Sequence, residues 1–320
     1  LYGLMNAEPV RLAAYRAAFA AAVPGKVVLD IGTGADAVLA RLCVEAGAAH
    51  VYAVEVLEDA ARRARELVAS LGLTDRITVL QGDIADVELP HPVEVCTQGI
   101  IGNIGSADGI APVWNAARRH FAPGCVPVPE ACTTRIAALE LPAAVRNGPR
   151  FGALAADYAR RVFASVGQPF DLRLCLRNVG DSNLLTDPAD FEVLDFQVEL
   201  ATAHAGRAEL VITRDGVLDG CLLWTVVTAG AGQSVDYFRE QQAWLPVFLP
   251  LADDPVPVRK GDRLHLEWEC RPDSDPLFPD YAVTARLNGS GDLRHVSRHR
   301  GTTAGGTRLH ARERTVCEVV

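Results

Sequence analysis

What this chain lacks narrows its chemistry first. Its eight cysteines, scattered from Cys43 to Cys317, contain no C-x-x-C pair. Metal ligands usually come in such close pairs, so no metal site is expected. Most of these cysteines have apolar neighbours and read as reduced core residues. The chain has no apolar run of about 18 residues and no basic-then-apolar leader. A soluble, cytoplasmic protein with no membrane partner is expected. The chain opens at Leu1 rather than at a methionine, so some preceding sequence is expected to be absent. Positive charge is in deficit, at 31 Lys plus Arg against 40 Asp plus Glu and a net charge of −9, which argues against a nucleic-acid partner. Lysine occurs only at Lys26 and Lys260, a skew expected of a GC-rich bacterial genome.

What is present is organised around Val27–Asp36. Three apolar residues run into Asp30, and Gly32 and Gly34 follow one residue apart. A short apolar run reads as a buried parallel strand, and glycines after it let a ligand approach the backbone. Helical spacing resumes at Ala37. This is the opening of a nucleotide-binding βαβ unit. A second strand, His50–Glu55, ends in an acid about 20 residues beyond the glycines, where a carboxylate accepts from ribose hydroxyls. A third, from Ile77, ends in Gly82-Asp83. The third glycine of the dinucleotide fingerprint is missing, and Asp36 would repel a pyrophosphate. A cationic ligand without phosphate, such as S-adenosyl-L-methionine, fits better.

Taken in order, residues 5–22 are expected to form a helix stopped by Pro24-Gly25, with Arg11 and Tyr15 four apart on one face. Arg11 there is either an exposed lid arginine or a partner for a ligand carboxylate. A fourth strand, Val93–Thr97, enters a second glycine-rich loop from Gln98 to Asp108, where α/β sheets place substrate. A helix is expected from about Ile110 to Phe121, then strands at Cys125–Pro129 and Thr133–Leu141. Beyond that, apart from a helix near 151–165, short alternating strands separated by turn residues predict an antiparallel all-β region. Gly289–Gly306 reads as a mobile surface loop. The expected fold is an α/β Rossmann-like domain followed by an all-β barrel-like domain. The segments are a lid helix at 1–22, a ligand-binding domain at 23–140, and a β-barrel-like substrate domain at 141–320.

That order resembles the protein arginine methyltransferases. Met5, Arg11 and Tyr15 are similar to that family's lid helix, M-x5-R-x3-Y. Val28–Gly34 looks like its V-L-D-x-G-x-G turn, and Val87–Pro90 like its V-E-L-P. Trp244–Phe248 and Pro257–Asp262 are similar, more loosely, to segments of its barrel. The resemblance implies an S-adenosyl-L-methionine-dependent methyltransferase and a homodimer. It implies that Arg11 holds the cofactor carboxylate and that Asp30, Gly32 and Gly34 shape its methionine end. Met5 would pack over the sulfonium, Glu55 would take the ribose hydroxyls, and Asp83 with Ile84 would meet the adenine. Glu55 otherwise reads as a solvated strand-end acid, and Asp83 as a helix cap.

The acceptor loop departs from the family. Arginine methyltransferases carry two glutamates there, which clamp a guanidinium bidentately. Here the first position falls on Gln98 or Gly99 and the second near Asp108 or Ala107. The family's Thr-His-Trp reads Gln242-Ala243-Trp244. A buried guanidinium left with one carboxylate is costly, so the expected acceptor is an N or O group of a small metabolite or modified peptide, in bacterial natural-product biosynthesis. A guanidino acceptor clamped by Asp108 and a non-catalytic homologue are the alternatives. Methyl transfer asks the protein to position the acceptor and manage a proton. The candidates for that are Gln98, Asn103 and Asp108, with Tyr15, Glu240 and Trp244 shaping the substrate side. Asp108 otherwise reads as the cap of the Ile110 helix.

Overall fold

The computed structural model describes residues 8–146, 161, 174–241, 244–251, 255–272, 279–288, 290–297 and 317–319. Met5, Gln242 and Ala243 lie outside them, as does the helix expected over 151–165 except for Arg161.

The N-terminal half follows the expected order of elements, although the helix expected from residue 5 begins at Pro9, with Glu8 extended before it. Helix α1 spans Pro9–Ala22 and buries Arg11, Ala14, Tyr15, Ala18 and Phe19. Strand β1 (Val27–Ile31), helix α2 (Val38–Glu45), strand β2 (His50–Glu55), helix α3 (Glu58–Ser70) and strand β3 (Ile77–Gln81) follow. Next come β4 (Val93–Gln98), a 3-10 turn at Gly105–Asp108, α4 (Ile110–Ala117) and β5 (Phe121–Val128). The five strands are parallel and ordered β3-β2-β1-β4-β5. The chain therefore lays strands outward from β1 in one direction, then restarts beside β1 with β4. This is a topological switch point, and open α/β sheets bind ligands at the carboxyl ends of strands there. Ile31 pairs with Gln98 at that end. The sheet is apolar on both faces, with Val28, Leu29, Val51, Ala53 and Cys96 all buried, as βαβ crossovers require.

One expectation fails here. The helix expected to about Phe121 runs as α-helix to Ala117 and as a 3-10 turn over Arg118–His120, but the strand expected from Cys125 already begins at Phe121-Ala122-Pro123-Gly124. Gly124 takes φ +78° and the register against β4 shifts, so Pro-Gly sits inside an irregular strand start.

The remaining strands are β6 (Ala131–Leu139), β7 (Leu174–Leu176), β8 (Ala189–Asp195), β9 (His204–Val211), β10 (Gly216–Leu218), β11 (Gly220–Gly230) and β12 (Gln233–Asp236). They continue with β13 (Val247–Pro250), β14 (Val256–Val258), β15 (Arg263–Pro272), β16 (Pro279–Leu287), β17 (Ser290–Ser297) and β18 (Cys317–Val319). They form sheets ordered β18-β7-β13-β11-β6-β8, β17-β16-β15-β9 and β10-β14, with β12 on β11. The loop expected over Gly289–Gly306 is in part strand, because Ser290–Ser297 pairs antiparallel with β16. A Rossmann-like region followed by an all-β region is the expected fold class.

Two compact units emerge, and they are not consecutive. The first joins 1–134 with 192–201 and 225–244; the second holds 135–191, 202–224 and 245–320. The segments expected at 23–140 and 141–320 are consecutive, whereas these units interleave along the chain. What composition does not reveal is that one end each of β8 and β11, with β12, belongs to the first unit. Strand sequence alone does not say against which surface each half-strand packs. No described helix is long and apolar enough to cross a membrane.

Candidate active site

The turn after β1 is fixed by two buried acids. Asp30 is 1% exposed. Its Oδ2 accepts from Thr33 Oγ1 at 2.6 Å and from the Ala40 N–H at 3.1 Å. The second bond ties β1 to the first turn of α2, whose own N-cap residue, Ala37, supplies no side-chain oxygen. Burial pushes the Asp30 carboxyl up to about 6, against the lowering effect of these two bonds. Asp30 Oδ1 is buried and has no hydrogen-bond partner. Glu55, at the tip of β2, accepts from the Gly34 N–H through Oε2 and from the Leu57 N–H through Oε1, each at 2.9 Å. A carboxylate oxygen accepts more than one bond, so Glu55 retains capacity for hydroxyl donors. Gly32 and Gly34 both have left-handed φ, +70° and +68°. A Cβ on Gly32 would meet Ile100 at 3.1 Å, whereas one on Gly34 would meet nothing within 4 Å among the described residues. The strand end thus presents open space beside Gly34, bounded by Glu55. Asp83 is exposed, and its Oδ1 accepts from the Ala85 N–H at 2.9 Å; Ile84 is buried.

Across the switch point, Gln98 is completely buried. Its Oε1 accepts from the Ile100 N–H at 2.6 Å, which fixes the amide orientation because only the oxygen accepts. Its Nε2 is left buried without a partner. Beside it lies a small cavity lined by Arg11, Tyr15, Gly99, Ile101, Val227, Tyr237 and Trp244. Trp244 Nε1 donates to the Ile101 carbonyl at 2.6 Å, and the Tyr237 and Trp244 rings lie 4.9 Å apart. The Arg11 guanidinium sits 5.0 Å from the Tyr15 ring centroid and 5.2 Å from that of Trp244, within cation–π range. It is buried, which removes the exposed-lid reading of Arg11. Arg11 also hydrogen-bonds Tyr15, while burial pushes the phenol up to about 12. The structure therefore brings Arg11, Tyr15 and Trp244 to one cavity, which Gly99, the residue after Gln98, also lines.

Asn103 and Asp108 are half-buried on the same loop and do not line this cavity. Asp108 is not itself the N-cap residue of α4, because Gly109, with φ +82°, occupies that position. Asp108 instead closes the preceding 3-10 turn. Its Oδ1 would lie 3.2 Å from a Cβ on Gly102, and the Ile104 carbonyl would lie only 2.7 Å from it, so that turn admits only glycine.

Sequence reasoning missed three residues. Glu8, one turn before Arg11, is 1% exposed and holds two oxygens without hydrogen-bond partners. The i, i+3 spacing to Arg11 was the available signal. Tyr237 gave none. Glu192 accepts through Oε1 from the Ser106 N–H at 2.9 Å and from Thr134 Oγ1 at 2.8 Å; Thr134 Oγ1 in turn accepts from the Gly105 N–H. It pins the acceptor loop from 86 residues away. Among the described residues, no three His, Cys, Asp or Glu side chains group as a metal site.

The fold has counterparts among known proteins. No family model matches the sequence. Two solved structures cover nearly the whole chain. Arabidopsis thaliana protein arginine methyltransferase 10, in an open conformation, superposes with a TM-score of 0.76 at 21% identity over 93% of this chain and 98% of its own. This chain has the fold of a protein arginine methyltransferase. The Trypanosoma brucei PRMT1 enzyme–prozyme heterotetrameric complex with AdoHcy gives a TM-score of 0.73 at 20% identity, over 91% of this chain and 96% of its own. Sequence similarity is more local. The chain is 50% identical over 70 residues to the probable protein arginine N-methyltransferase 1.2 of Arabidopsis thaliana, covering 22% of this chain and 19% of that relative. It is 35% identical over 121 residues to the probable protein arginine N-methyltransferase 6 of the same plant, covering 38% of this chain and 27% of that relative. The chain thus spans under a third of the length of these curated relatives.

Proposed function

We propose that the chain is an S-adenosyl-L-methionine-dependent methyltransferase acting on an N or O acceptor of a small metabolite or modified peptide, as a homodimer. The cofactor half is supported by the arginine methyltransferase relatives, by AdoHcy in the Trypanosoma brucei neighbour, and by donor chemistry. Glu55 keeps lone pairs for two ribose hydroxyls, space beside Gly34 is open, and Arg11 supplies a buried cation for a carboxylate. When bound, the cofactor supplies an electrophilic methyl on a sulfonium, and the protein positions the acceptor.

The acceptor half is carried by Gln98. A guanidinium bears only donors, yet the free valence at this position is the Gln98 Nε2, itself a donor. Two donors facing each other in a buried site leave both unsatisfied, at a cost of about 1–3 kcal/mol. A ligand with an acceptor atom there, such as a hydroxyl, carbonyl or carboxylate, satisfies Gln98 instead. The test is transfer of labelled methyl from the cofactor to matched acceptors. Turnover of hydroxyl- or amide-bearing amines without turnover of free arginine or arginine peptides is the expected result. Turnover confined to guanidino acceptors overturns it. The relatives' names favour that second reading, with Asp108 as the single clamp; loss of arginine methylation in Asp108→Ala would support it.

A further inference from the structure

Arg119 and His120 make contacts that neither the fold nor the acceptor loop explains. They close the 3-10 turn that follows α4. A histidine at a helix C-terminus ordinarily serves as a cation against the dipole. This one does not. His120 is 7% exposed, and its Nε2 accepts from Arg119 Nε–H at 3.1 Å. A guanidinium has only donors, so the bond requires a neutral imidazole with its proton on Nδ1. Held in this way, Arg119 directs Nη2 at the turn after β3. It donates to the Val87 carbonyl at 2.6 Å and reaches the Ile84 carbonyl at 3.5 Å. Its ion pair with Glu88, at 3.4 Å, is exposed and adds little. The turn itself is closed by the Asp83 carbonyl, which accepts from the Asp86 and Val87 N–H groups at 2.9 Å each. Val87 lies against Gly82, where a Cβ would meet Val87 Cγ2 at 3.0 Å. Gly82 N–H donates to the Glu55 carbonyl at 3.0 Å. A chain of direct contacts therefore runs from His120 through Arg119, Val87 and Gly82 to the strand end that carries Glu55.

We propose that Arg119 is a positioning residue for the nucleoside half of the cofactor, and that His120 holds Arg119 in place only while the imidazole is neutral. The inference rests on the cofactor reading given above, in which Glu55 takes the ribose hydroxyls. Arg119 does not touch the ligand. It fixes the carbonyls of Ile84 and Val87, and through them the backbone of Gly82 and Asp83 beside Glu55. Protonation of His120 ends this arrangement. Nε2 then carries an N–H that faces Arg119 Nε–H, donor against donor and cation against cation. The charged groups facing the imidazole are Arg119 on its own turn and Glu88 on the loop across from it. Burial lowers the imidazole below its ordinary 6.5; Arg119 adds to this and Glu88 opposes it. The neutral form therefore prevails at neutral pH, and the hold on the turn is lost as pH falls below that range. A ligand that binds best to the held turn must in return make His120 harder to protonate.

The affinity of the full chain for S-adenosylhomocysteine, measured by calorimetry at pH 7.5 and pH 5, tests this. The wild type should weaken by about tenfold, the equivalent of about one pH unit between the His120 midpoints of the free and bound chain. His120→Gln offers Arg119 an accepting amide oxygen at every pH. It should match the wild type at pH 7.5 and keep most of that affinity at pH 5. Asp30 also titrates in this range but is the same in both chains, so their difference isolates His120. Arg119→Lys keeps the charge and loses the fork that joins His120 to Val87, so it should bind weakly at both pH values. A merely structural role for the pair would lower the melting temperature of the variants and leave the pH dependence of affinity as it is in the wild type. An affinity that does not vary with pH in the wild type, or one that falls as far in His120→Gln, overturns the proposal. If the variants do not fold, the wild type decides alone. The NMR titration of the His120 ring should have its midpoint about one pH unit lower with S-adenosylhomocysteine bound, and an unmoved midpoint sinks the idea. No binding to the wild type at pH 7.5 removes the cofactor reading and this proposal with it, whereas binding that ignores pH removes this proposal alone.

Discussion

At the scale of single residues, Gly32 and Glu55 show how little freedom the turn after β1 has. Gly32 combines φ +70° with Ile100 pressing 3.1 Å from where a Cβ would sit. Alanine there adopts the left-handed region at about 1–2 kcal/mol, so Gly32→Ala should lower the urea midpoint by at least that much without altering the slope. Glu55 receives two N–H donors on two oxygens. Glu55→Gln turns one of those oxygens into a donor facing a donor. A loss of about 1–3 kcal/mol in stability and a weaker affinity for S-adenosylhomocysteine by calorimetry are expected. The pH dependence has a definite sign. Asp30 ionises near 3.8 when unfolded and at about 6 when folded. Between those values the folded chain holds more protons, so stability is greatest below the window and falls as pH rises through it, by about 1.4 kcal/mol for each pH unit between the two values. Glu8, raised from 4.5 to about 7, adds in the same direction. The ligand-free chain should therefore melt at lower temperature at pH 7.5 than at pH 5, and Asp30→Asn should flatten that profile. The positions of the strand-end acids were legible in the sequence because an acid that closes an apolar run falls at a strand tip. Glu8 was not, because nothing in local spacing says whether an N-cap acid caps its helix or turns inward.

At the scale of elements, the acceptor loop is the informative case. Gln98 and Asp108 were legible as candidates on it, but its support was not. Gly105 and Ser106 are held through Thr134 and Glu192, and a Cβ on Gly105 would come within 3.0 Å of Glu192 Oε1 and 3.2 Å of Cys132 Sγ. Pairings across 86 residues leave no periodic trace, and an alternating strand such as β8 does not announce which of its inward residues is charged for a purpose. Glu192→Ala would strand the Ser106 N–H and cost about 1–3 kcal/mol. Hydrogen exchange should show faster opening at residues 98–108 than in β1 or β2, while Glu192→Gln, which keeps an accepting oxygen, should restore most of the protection. The early start of β5 at Phe121 has the same cause. A Pro-Gly pair signals a break, yet whether it stops one element or bends the start of the next depends on the partner strand.

For the whole molecule, chain order and packing order diverge. Texture along the sequence separates a βαβ half from an all-β half near residue 140. The first unit nevertheless draws in 192–201 and 225–244, for reasons visible at α4. Trp114, 1% exposed, packs edge-on against Phe196 at 5.1 Å and donates to the Val198 carbonyl at 3.2 Å. Asn115 exchanges two hydrogen bonds with Leu200, each at 2.8 Å. The cavity wall likewise needs Tyr237 and Trp244, the latter bonded to the Ile101 carbonyl. A fragment ending at residue 140 keeps every residue of the nucleotide-type turn but loses these partners. It uncovers Trp114, strips one wall from the Arg11 site, and leaves the backbone of Ser106 unpaired. Burying a large aromatic contributes about 1.5–3 kcal/mol, and several such losses together exceed what a domain of this size holds in reserve. The 1–140 fragment should therefore lack a cooperative thermal transition and fail to bind S-adenosylhomocysteine, where the full chain does both. A cooperatively folded, ligand-binding 1–140 fragment would show instead that the discontinuous segments are accessories to a unit the first 140 residues already specify.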